Sequence, residues 1–140
     1  ILNHIEKNKK TIEYCWKIGQ KLFDGWNKIS EKSGLNILMT GYPIRMTLKC
    51  YDNNKQESQL LKSIILQEMV KQGIFMSILG ASYISYSHSV QDIENTLQAF
   101  ENTCKFISKN VVENNYEKFL EGEQPKTIWS MKIPPTKRHY

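Results

Sequence analysis

Three cysteines have the most obvious chemistry in this chain, and their spacing argues against a metal site. Cys15, Cys50 and Cys104 are far apart, form no C-x-x-C pair, and each stands among apolar residues. A structural zinc site needs closely spaced Cys and His ligands, and an odd number of cysteines does not complete a disulfide framework. We therefore expect no metal site, and buried, reduced thiols in a cytoplasmic protein.

His88 is a second candidate for chemistry, as a catalytic acid or base. That role needs a partner side chain, and the sequence shows none. We expect instead a neutral imidazole that hydrogen-bonds to the backbone, directly before a helix cap. Tyr83 and Tyr86, with Ser85 and Ser87, follow the alternation of a strand, and packing accounts for them. The sequence therefore supports no catalytic role for these three residues.

The positive charge of the chain is spread along it. There are 19 Lys and Arg against 14 Asp and Glu, a net charge of +5. The densest basic group, Lys7, Lys9 and Lys10, follows Glu6 and precedes Glu13. Interspersed charges of both signs are typical of a solvated helix face rather than a phosphate-binding stripe. We therefore expect no nucleic-acid partner.

The chain also lacks the signals of a membrane or secreted protein. It has no run of about 18 apolar residues, so we expect no membrane span. Its N-terminus has no apolar region followed by a small-residue cleavage site, so it is not a signal peptide. It has no initiator methionine and enters helical periodicity almost at once. These features favour a cytoplasmic location and a fragment of a longer protein.

The elements that position these residues begin with a long amphipathic helix from Ile5 to about Lys32. Its apolar residues recur at steps of three, four and seven and form one stripe, which includes Trp16 and Trp26. Gly19 lies on this stripe and costs about 1 kcal/mol relative to alanine, so we expect close packing against another element there. The stripe as a whole is expected to pack against protein that is not present in the chain.

The second part of the chain predicts short strands among helices. Two strands, Leu35–Thr40 and Ile44–Tyr51, are separated by a turn at Gly41-Tyr42-Pro43. The elements that follow are a helix over 56–72, a strand over 74–76, a loop over 77–82, a strand over 83–87, a helix that begins at a capping box of Ser89 and Asp92, and a shorter helix over 112–120.

This order predicts an α+β fold in which helices cover one face of a small antiparallel sheet. The expected division is a linking amphipathic helix over 1–34, an α+β small domain over 35–122 and an extended C-terminal tail over 123–140.

Four stretches together resemble a known family. They are Gly41-Tyr42-Pro43-Ile44-Arg45, Leu66-Gln67-Glu68-Met69-Val70-Lys71-Gln72-Gly73-Ile74, Ile84-Ser85-Tyr86-Ser87-His88-Ser89 and Asp92-Ile93-Glu94-Asn95-Thr96-Leu97-Gln98-Ala99-Phe100. Their order and spacing are similar to the C-terminal small domain of pyridoxal-phosphate-dependent class III aminotransferases, in the glutamate-1-semialdehyde 2,1-aminomutase-like branch. The resemblance extends from about Ile5 to Trp129.

The resemblance implies a dimeric enzyme of the aspartate-aminotransferase-like fold that moves an amino group from a donor to a carbonyl acceptor. In that family the Schiff-base lysine, the acidic partner of the pyridine ring and the phosphate loop belong to a large domain. This chain has no lysine in that motif context and no Gly-rich phosphate loop. We therefore expect no cofactor-binding residue in it and no transamination by this chain alone. Its implied role is to close the active-site cleft and support the homodimer, and transaminase and aminomutase both stay open.

Two residues take roles from the same resemblance. Arg45 lies on the polar side of its strand, and small-domain arginines of related aminotransferases can bind a substrate carboxylate with a bidentate fork. The alternative is a surface arginine paired with Glu or Asp. Gly122 and Pro125, followed by Ile128-Trp129, are similar to the closing segment of the family, in which Trp129 would anchor the tail in a groove.

Other functions stay open beside this one. A stand-alone ferredoxin-like module that binds a small molecule or RNA would also combine paired strands with helices. RNA recognition requires aromatic side chains exposed together on a sheet face, and strand alternation places Tyr83 and Tyr86 on opposite faces. A third alternative is an inactive remnant that binds a full-length partner.

Overall fold

Helices and strands alternate along residues 9–110 and 115–124, the part of the chain that the computed structural model describes. In chain order they are helix α1 (Lys9–Ser33), strands β1 (Asn36–Tyr42) and β2 (Arg45–Tyr51), helix α2 (Gln59–Lys71), strand β3 (Ala81–Tyr83), helix α3 (Val90–Asn110) and a 3-10 turn (Tyr116–Phe119). The predicted α+β class with a long first helix is confirmed.

The three strands form one antiparallel sheet in the order β1-β2-β3. Tyr42 pairs with Arg45, so Pro43 and Ile44 alone make the turn between β1 and β2. This turn begins two residues later than the sequence predicts. Side chains alternate across a strand, and the apolar set of β2, with Met46 and Leu48 fully buried, faces the helices.

Trp26 and Phe100 form the centre of the core. Their ring centroids lie 3.5 Å apart with the planes inclined by 10°, and neither residue is exposed to solvent. Burial of each large ring contributes about 1.5–3 kcal/mol. Because α1 supplies one ring and α3 the other, the stack joins the two helices. On the surface Lys21 and Glu94 join the same helices by an ion pair of 2.5 Å.

Helix α1 also lies along the outer edge of β1, where the described part of the chain supplies no further strand. The indole Nε1–H of Trp26 donates to the carbonyl of Ile37 (3.1 Å), and the N–H of Ile37 donates to the Ser30 hydroxyl (3.0 Å). The same hydroxyl donates to the carbonyl of Leu35 (2.6 Å). Side chains of a helix therefore replace a fourth strand at this edge.

Gly19 explains how α1 approaches the hairpin so closely. A Cβ placed on Gly19 would lie 2.8 Å from the carbonyl carbon of Pro43 and in contact with its carbonyl oxygen. No larger residue fits against that backbone. The predicted close packing at Gly19 is confirmed, and its partner is the turn between β1 and β2.

The sequence predicts that the apolar stripe of α1 packs against protein that is not present in the chain. That prediction is wrong for the part of the stripe around Trp26. Trp26 is completely shielded by its own chain, whereas Trp16 keeps 39% of its surface exposed. The two indoles stand ten residues apart, nearly three turns. Trp26 lies where α3 packs on α1, beside the contacts of Lys21 with Glu94 and of Gly25 with Leu97. The N-terminal part of the stripe, with Trp16 and Ile12, remains on the surface.

The segment from Ile74 to Ser87 differs most from its prediction. Ile74–Met76 forms no strand, and its first N–H bonds back to the carbonyl of Met69, where it caps α2. Strand β3 covers 81–83 instead of 83–87, so Tyr86 lies outside it. These short apolar runs match a strand pattern. Only 81–83 pair with β2 as a strand, and one further bond runs from the N–H of Ile84 to the carbonyl of Ile44 (3.1 Å).

Two helix boundaries are corrected as well. Ser58 caps α2, accepting from the N–H of Leu61 (3.1 Å), so residues 56–57 precede the helix. The predicted helix over 112–120 lies partly outside the described residues, and 116–119 form a 3-10 turn. The tail with Trp129 also lies outside them. Within the described ranges, no helix has the length and apolar content needed to cross a membrane.

Candidate functional site

A row of exposed side chains crosses the sheet on the face opposite the core. Tyr42, Arg45 and Tyr83 stand side by side on β1, β2 and β3, because Arg45 pairs with both tyrosines in the strand registers. The two tyrosines are 68% and 64% exposed. The Nε–H of Arg45 reaches the Tyr83 hydroxyl at 3.4 Å, and its guanidinium carbon lies 6.0 Å from the Tyr83 ring centroid. Tyr83 therefore restrains the guanidinium from one side.

No carboxylate within the described residues forms an ion pair with Arg45. Each ion pair between those residues joins a lysine to a glutamate. The alternative in which Arg45 is a surface arginine bound to Glu or Asp therefore finds no support in this part of the chain. A guanidinium held by an aromatic residue and turned to solvent is suited to an anion from outside.

Trp16 extends this row onto helix α1. Its ring meets Tyr42 edge to face, with centroids 6.5 Å apart. Gly19, one turn further along α1, brings the helix against the turn that follows Tyr42. We call Trp16, Tyr42, Arg45 and Tyr83 the Arg45 surface. It is an aromatic patch that carries one cation.

The tyrosines were expected in a different arrangement. Strand alternation predicts Tyr83 and Tyr86 on opposite faces of one strand, but Tyr86 belongs to the following loop, where its ring meets Tyr14 at 5.5 Å. The neighbour of Tyr83 is Arg45, which the sequence does not reveal because the register depends on where the hairpin turns.

His88 hydrogen-bonds to the backbone, as predicted. Its Nδ1 accepts from the N–H of Ser85 (3.0 Å) and lies 3.1 Å from the Ser85 hydroxyl. Its backbone carbonyl accepts from the Tyr14 hydroxyl (2.9 Å). An imidazole nitrogen that accepts from an amide carries no proton. His88 therefore fixes the loop before α3.

The capping box at the start of α3 is confirmed. The Ser89 hydroxyl accepts from the N–H of Asp92 (3.1 Å), and the Asp92 carboxylate accepts from the N–H of Ser89 (2.7 Å). These bonds, first from the Ser89 backbone and then from its hydroxyl, hold the pKa of Asp92 below its usual value. The role of the Asp92 carboxylate is therefore to cap the N-terminus of α3.

Two of the three cysteines are buried thiols, as expected. Burial raises the pKa of Cys50 to about 12 and that of Cys104 to about 11. Cys15 is only half-buried, so that part of the expectation is wrong. Within residues 9–110 and 115–124, no three His, Cys, Asp or Glu side chains are grouped as metal ligands.

Lys62 is a buried charge that the sequence analysis did not single out. Its side chain is 5% exposed, and its ammonium lies 2.5 Å from the carboxylate of Glu57, which also binds Lys49 at 3.0 Å. Hydrogen bonds from Lys62 and then Lys49 lower the pKa of Glu57. A lysine inside the apolar run Leu60–Leu66, five residues after a glutamate, is the signal that could have indicated it.

No protein-family model matches the chain. It is similar to glutamate-1-semialdehyde 2,1-aminomutase 1 of Staphylococcus carnosus, with 28% identity over 109 residues, which covers 71% of this chain and 25% of that protein. Aminomutase 2 of Staphylococcus haemolyticus is 30% identical over 108 residues, covering 70% and 25%. The chain therefore spans about a quarter of the length of the curated relatives it matches.

Solved structures show the same fold. The FumI protein of Sphingopyxis sp. MTA144, described as a PLP internal aldimine form, has a TM-score of 0.68 at 19% identity, covering 76% of this chain and 25% of that one. An omega-transaminase from Sphaerobacter thermophilus has a TM-score of 0.60 at 17% identity, covering 69% and 24%.

The α+β fold is accordingly that of one part of a transaminase of the aspartate-aminotransferase-like type. The sequence likeness is to the glutamate-1-semialdehyde aminomutases, so the resemblance to part of a class III aminotransferase is confirmed.

Proposed function

We propose that this chain is part of a longer pyridoxal-phosphate-dependent enzyme, an aminotransferase or aminomutase, that moves an amino group from a donor to a carbonyl acceptor. The observation that carries the proposal is the alignment with glutamate-1-semialdehyde aminomutases, which covers 71% of this chain but 25% of theirs. The proposal includes a homodimer in the cytoplasm, where the buried thiols Cys50 and Cys104 stay reduced.

The described residues do not fit pyridoxal phosphate itself. Its phosphate is commonly held by backbone amides at a helix N-terminus and its aldehyde by a lysine. The buried lysine of the described chain, Lys62, is bound to Glu57, and the N-terminus of α2 is capped by Ser58. The proposal therefore assigns the cofactor, and the chemical steps that need it, to another part of the longer protein.

The Arg45 surface is the part of this chain that faces the substrate in the proposal. Arg45 binds the carboxylate of the amino donor, while Tyr42, Tyr83 and Trp16 close the cleft against the cofactor-binding part. The support is geometric: the guanidinium is held by Tyr83, has no carboxylate partner within the described residues, and lies among exposed aromatic rings.

The decisive measurement is substrate kinetics of the full-length protein with Arg45→Ala. Loss of a charge-assisted contact of about 1.5–3 kcal/mol raises the Michaelis constant for a carboxylate-bearing donor by roughly 10- to 100-fold. Amine donors without a carboxylate keep their kinetics. Lys21→Ala, which removes another surface cation, is the matched control. Unchanged kinetics in Arg45→Ala would remove the substrate role and leave the family-level proposal in place.

The enzyme assignment has a separate test. We expect the full-length protein with pyridoxal phosphate to transfer an amino group or isomerise a semialdehyde, whereas the 140 residues alone do neither. Turnover by the isolated chain contradicts the assignment of the cofactor to another part. Absence of turnover from the full-length protein favours the inactive remnant. The ferredoxin-like module has less support, because the described sheet has three strands in chain order.

A further inference from the structure

An open cavity lies between the C-terminal halves of α1 and α3. Its volume is about 500 Å³, which falls within the range of about 300–1,000 Å³ that is usual for small-molecule sites. Its walls include Ile29, Lys32, Cys104, Lys105, Ser108 and Lys109. We call it the α1–α3 cavity. None of the four residues of the Arg45 surface lines it, so it is a separate feature of the chain.

The two helices that form the α1–α3 cavity run in the same direction. Contacts between them advance together along both sequences, and the contacting pairs are Lys21 with Glu94, Gly25 with Leu97 and Trp26 with Phe100. The C-terminal ends of both helices therefore lie at the same end of the protein. The last turn of α1 carries Lys32 and the last turn of α3 carries Lys109, and both lysines line the cavity.

The cavity wall has an excess of positive charge. Lys105 is neutralised by Glu101 at 2.9 Å, whereas Lys32 and Lys109 form no ion pair with any residue of 9–110 or 115–124. Each helix end offsets part of this charge, because the macrodipole places about half a negative elementary charge there. About one positive charge remains, which suits a ligand that carries a single negative charge.

The remainder of the cavity wall is largely apolar. Cys104 is buried and Ile29 is half-buried at the edge of the core. The lysines add their methylene stems to this surface, while their ammonium groups stay in water. Ser108 adds an exposed hydroxyl, which can donate a hydrogen bond. A ligand that fills the cavity therefore needs an apolar body and an anionic end.

The anionic end is better matched by a carboxylate than by a phosphate. Phosphate groups are commonly held by the backbone amides of a helix N-terminus or by the fork of an arginine. The α1–α3 cavity is bordered instead by helix C-termini, which present carbonyl oxygens. Its cations are lysines, which act as compact point charges.

We propose that the α1–α3 cavity binds an amphipathic monoanion, a carboxylate with an unbranched apolar chain of the fatty-acid class. The apolar chain packs on Ile29 and Cys104. The carboxylate binds the ammonium groups of Lys32 and Lys109 and accepts from the Ser108 hydroxyl. This binding does not depend on the aminotransferase proposal, because it uses neither the cofactor nor Arg45.

Titration calorimetry of the full-length protein with decanoate, below the concentration at which decanoate forms micelles, tests the proposal. We expect saturable binding that weakens as salt is added. Decyltrimethylammonium, which has the same chain and the opposite charge, should not saturate the protein. Equal binding of the two amphiphiles overturns the proposal.

A pair of double variants tests the two lysines. Lys32→Ala combined with Lys109→Ala should weaken decanoate binding roughly tenfold. Lys10→Ala combined with Lys17→Ala removes the same charge from exposed positions of α1 outside the cavity wall, and should leave the affinity unchanged. If the two double variants bind decanoate equally well, the proposal is wrong.

Two single variants locate the binding site. Ser108→Trp places a large side chain in the cavity from an exposed position and should abolish decanoate binding. Arg45→Ala should retain it, because the Arg45 surface is the other place that suits a carboxylate with an apolar chain. In thermal unfolding, decanoate should stabilise the wild type and Arg45→Ala but not Ser108→Trp. Full affinity in Ser108→Trp, or loss of binding in Arg45→Ala, counts against the proposal.

Discussion

The side-chain amide of Asn27 pairs with both backbone groups of Met39. Its Oδ1 accepts from the N–H of Met39 (2.9 Å), and its Nδ2 donates to the carbonyl of Met39 (3.1 Å). A single side chain on α1 thus makes the two bonds that a neighbouring strand would make. With Ser30 on the next turn, it closes the outer edge of the sheet.

Replacing Asn27 by leucine should destabilise the protein by about 2–4 kcal/mol, because two partly buried backbone groups of Met39 lose their partners. Urea denaturation measures the change in the free energy of unfolding. Gln20→Ala on the same helix removes an exposed hydrogen bond to Asp24 and should cost less than about 0.5 kcal/mol. If both variants lost the same free energy of unfolding, the bonds from Asn27 to Met39 would not stabilise the sheet edge.

Two glycines of α1 should respond differently to alanine. Alanine gains about 1 kcal/mol over glycine in a helix, but at Gly19 its methyl group meets the backbone of Pro43, which cannot move aside. At Gly25 it meets the Leu97 side chain, 2.6 Å from Cδ1, which can rotate. We expect Gly19→Ala to lose about 1–3 kcal/mol and Gly25→Ala to stay near neutral in thermal unfolding. The reverse order would contradict the packing at the turn.

The Glu57–Lys62 pair predicts a stability loss at low pH. The carboxylate has a lowered pKa because Lys62 and Lys49 bind it, so the unfolded chain holds its proton more tightly. Its contribution is complete above the unfolded pKa, near 4.5, and is lost as pH falls through the lower folded value. Unfolding measured between pH 7 and 3 should be less pH-dependent in Glu57→Gln.

The contribution of the Glu57–Lys62 pair to the free energy of unfolding can also be measured at neutral pH. Glu57→Gln leaves a buried ammonium without its carboxylate; because Glu57 is 36% exposed, solvent screens part of the loss, and we expect about 1–2 kcal/mol. Lys62→Met removes the buried charge altogether and should cost less. A greater loss in Lys62→Met would indicate that the pair itself stabilises the fold.

Thiol labelling should distinguish the cysteines by burial. At pH 8 an excess of a disulfide reagent should modify Cys15, which is half-buried, and spare Cys50 and Cys104, whose raised pKa values keep them protonated. Mass spectrometry of the peptides identifies the modified residue. Cys15→Ser should leave the native protein unlabelled until it is denatured, and rapid labelling of that variant contradicts the assignment.

The sequence predicts the long elements of this fold better than the short ones. The stripe from Ile12 to Ile29 and the alternation from Arg45 to Tyr51 repeat over enough residues to fix α1 and β2. The segment over 74–87 offers runs of a few residues, which fit a strand and an exposed loop equally well. There the outcome depends on which backbone groups remain free after α2 is capped.

The sequence identifies Arg45 as a candidate site residue, but it does not reveal which side chains surround Arg45. Arg45 is visible from the sequence, because it is an isolated cation on the polar side of a strand. That Tyr42 and Tyr83 stand beside it follows from a hairpin that turns at Pro43 and Ile44 and from a third strand of three residues. Neither can be read from periodicity. Lys62 was missed for a similar reason, since its partner lies before the helix.

The stack of Trp26 on Phe100 has a consequence for synthesis on the ribosome. The two residues are separated by 74 positions, which at 5–20 residues per second takes roughly 4–15 s to translate. During that interval the indole and the apolar side of its helix have no native cover. Nascent chains that stall before Phe100 should therefore bind chaperones that recognise exposed hydrophobic segments, and chains released after it should not.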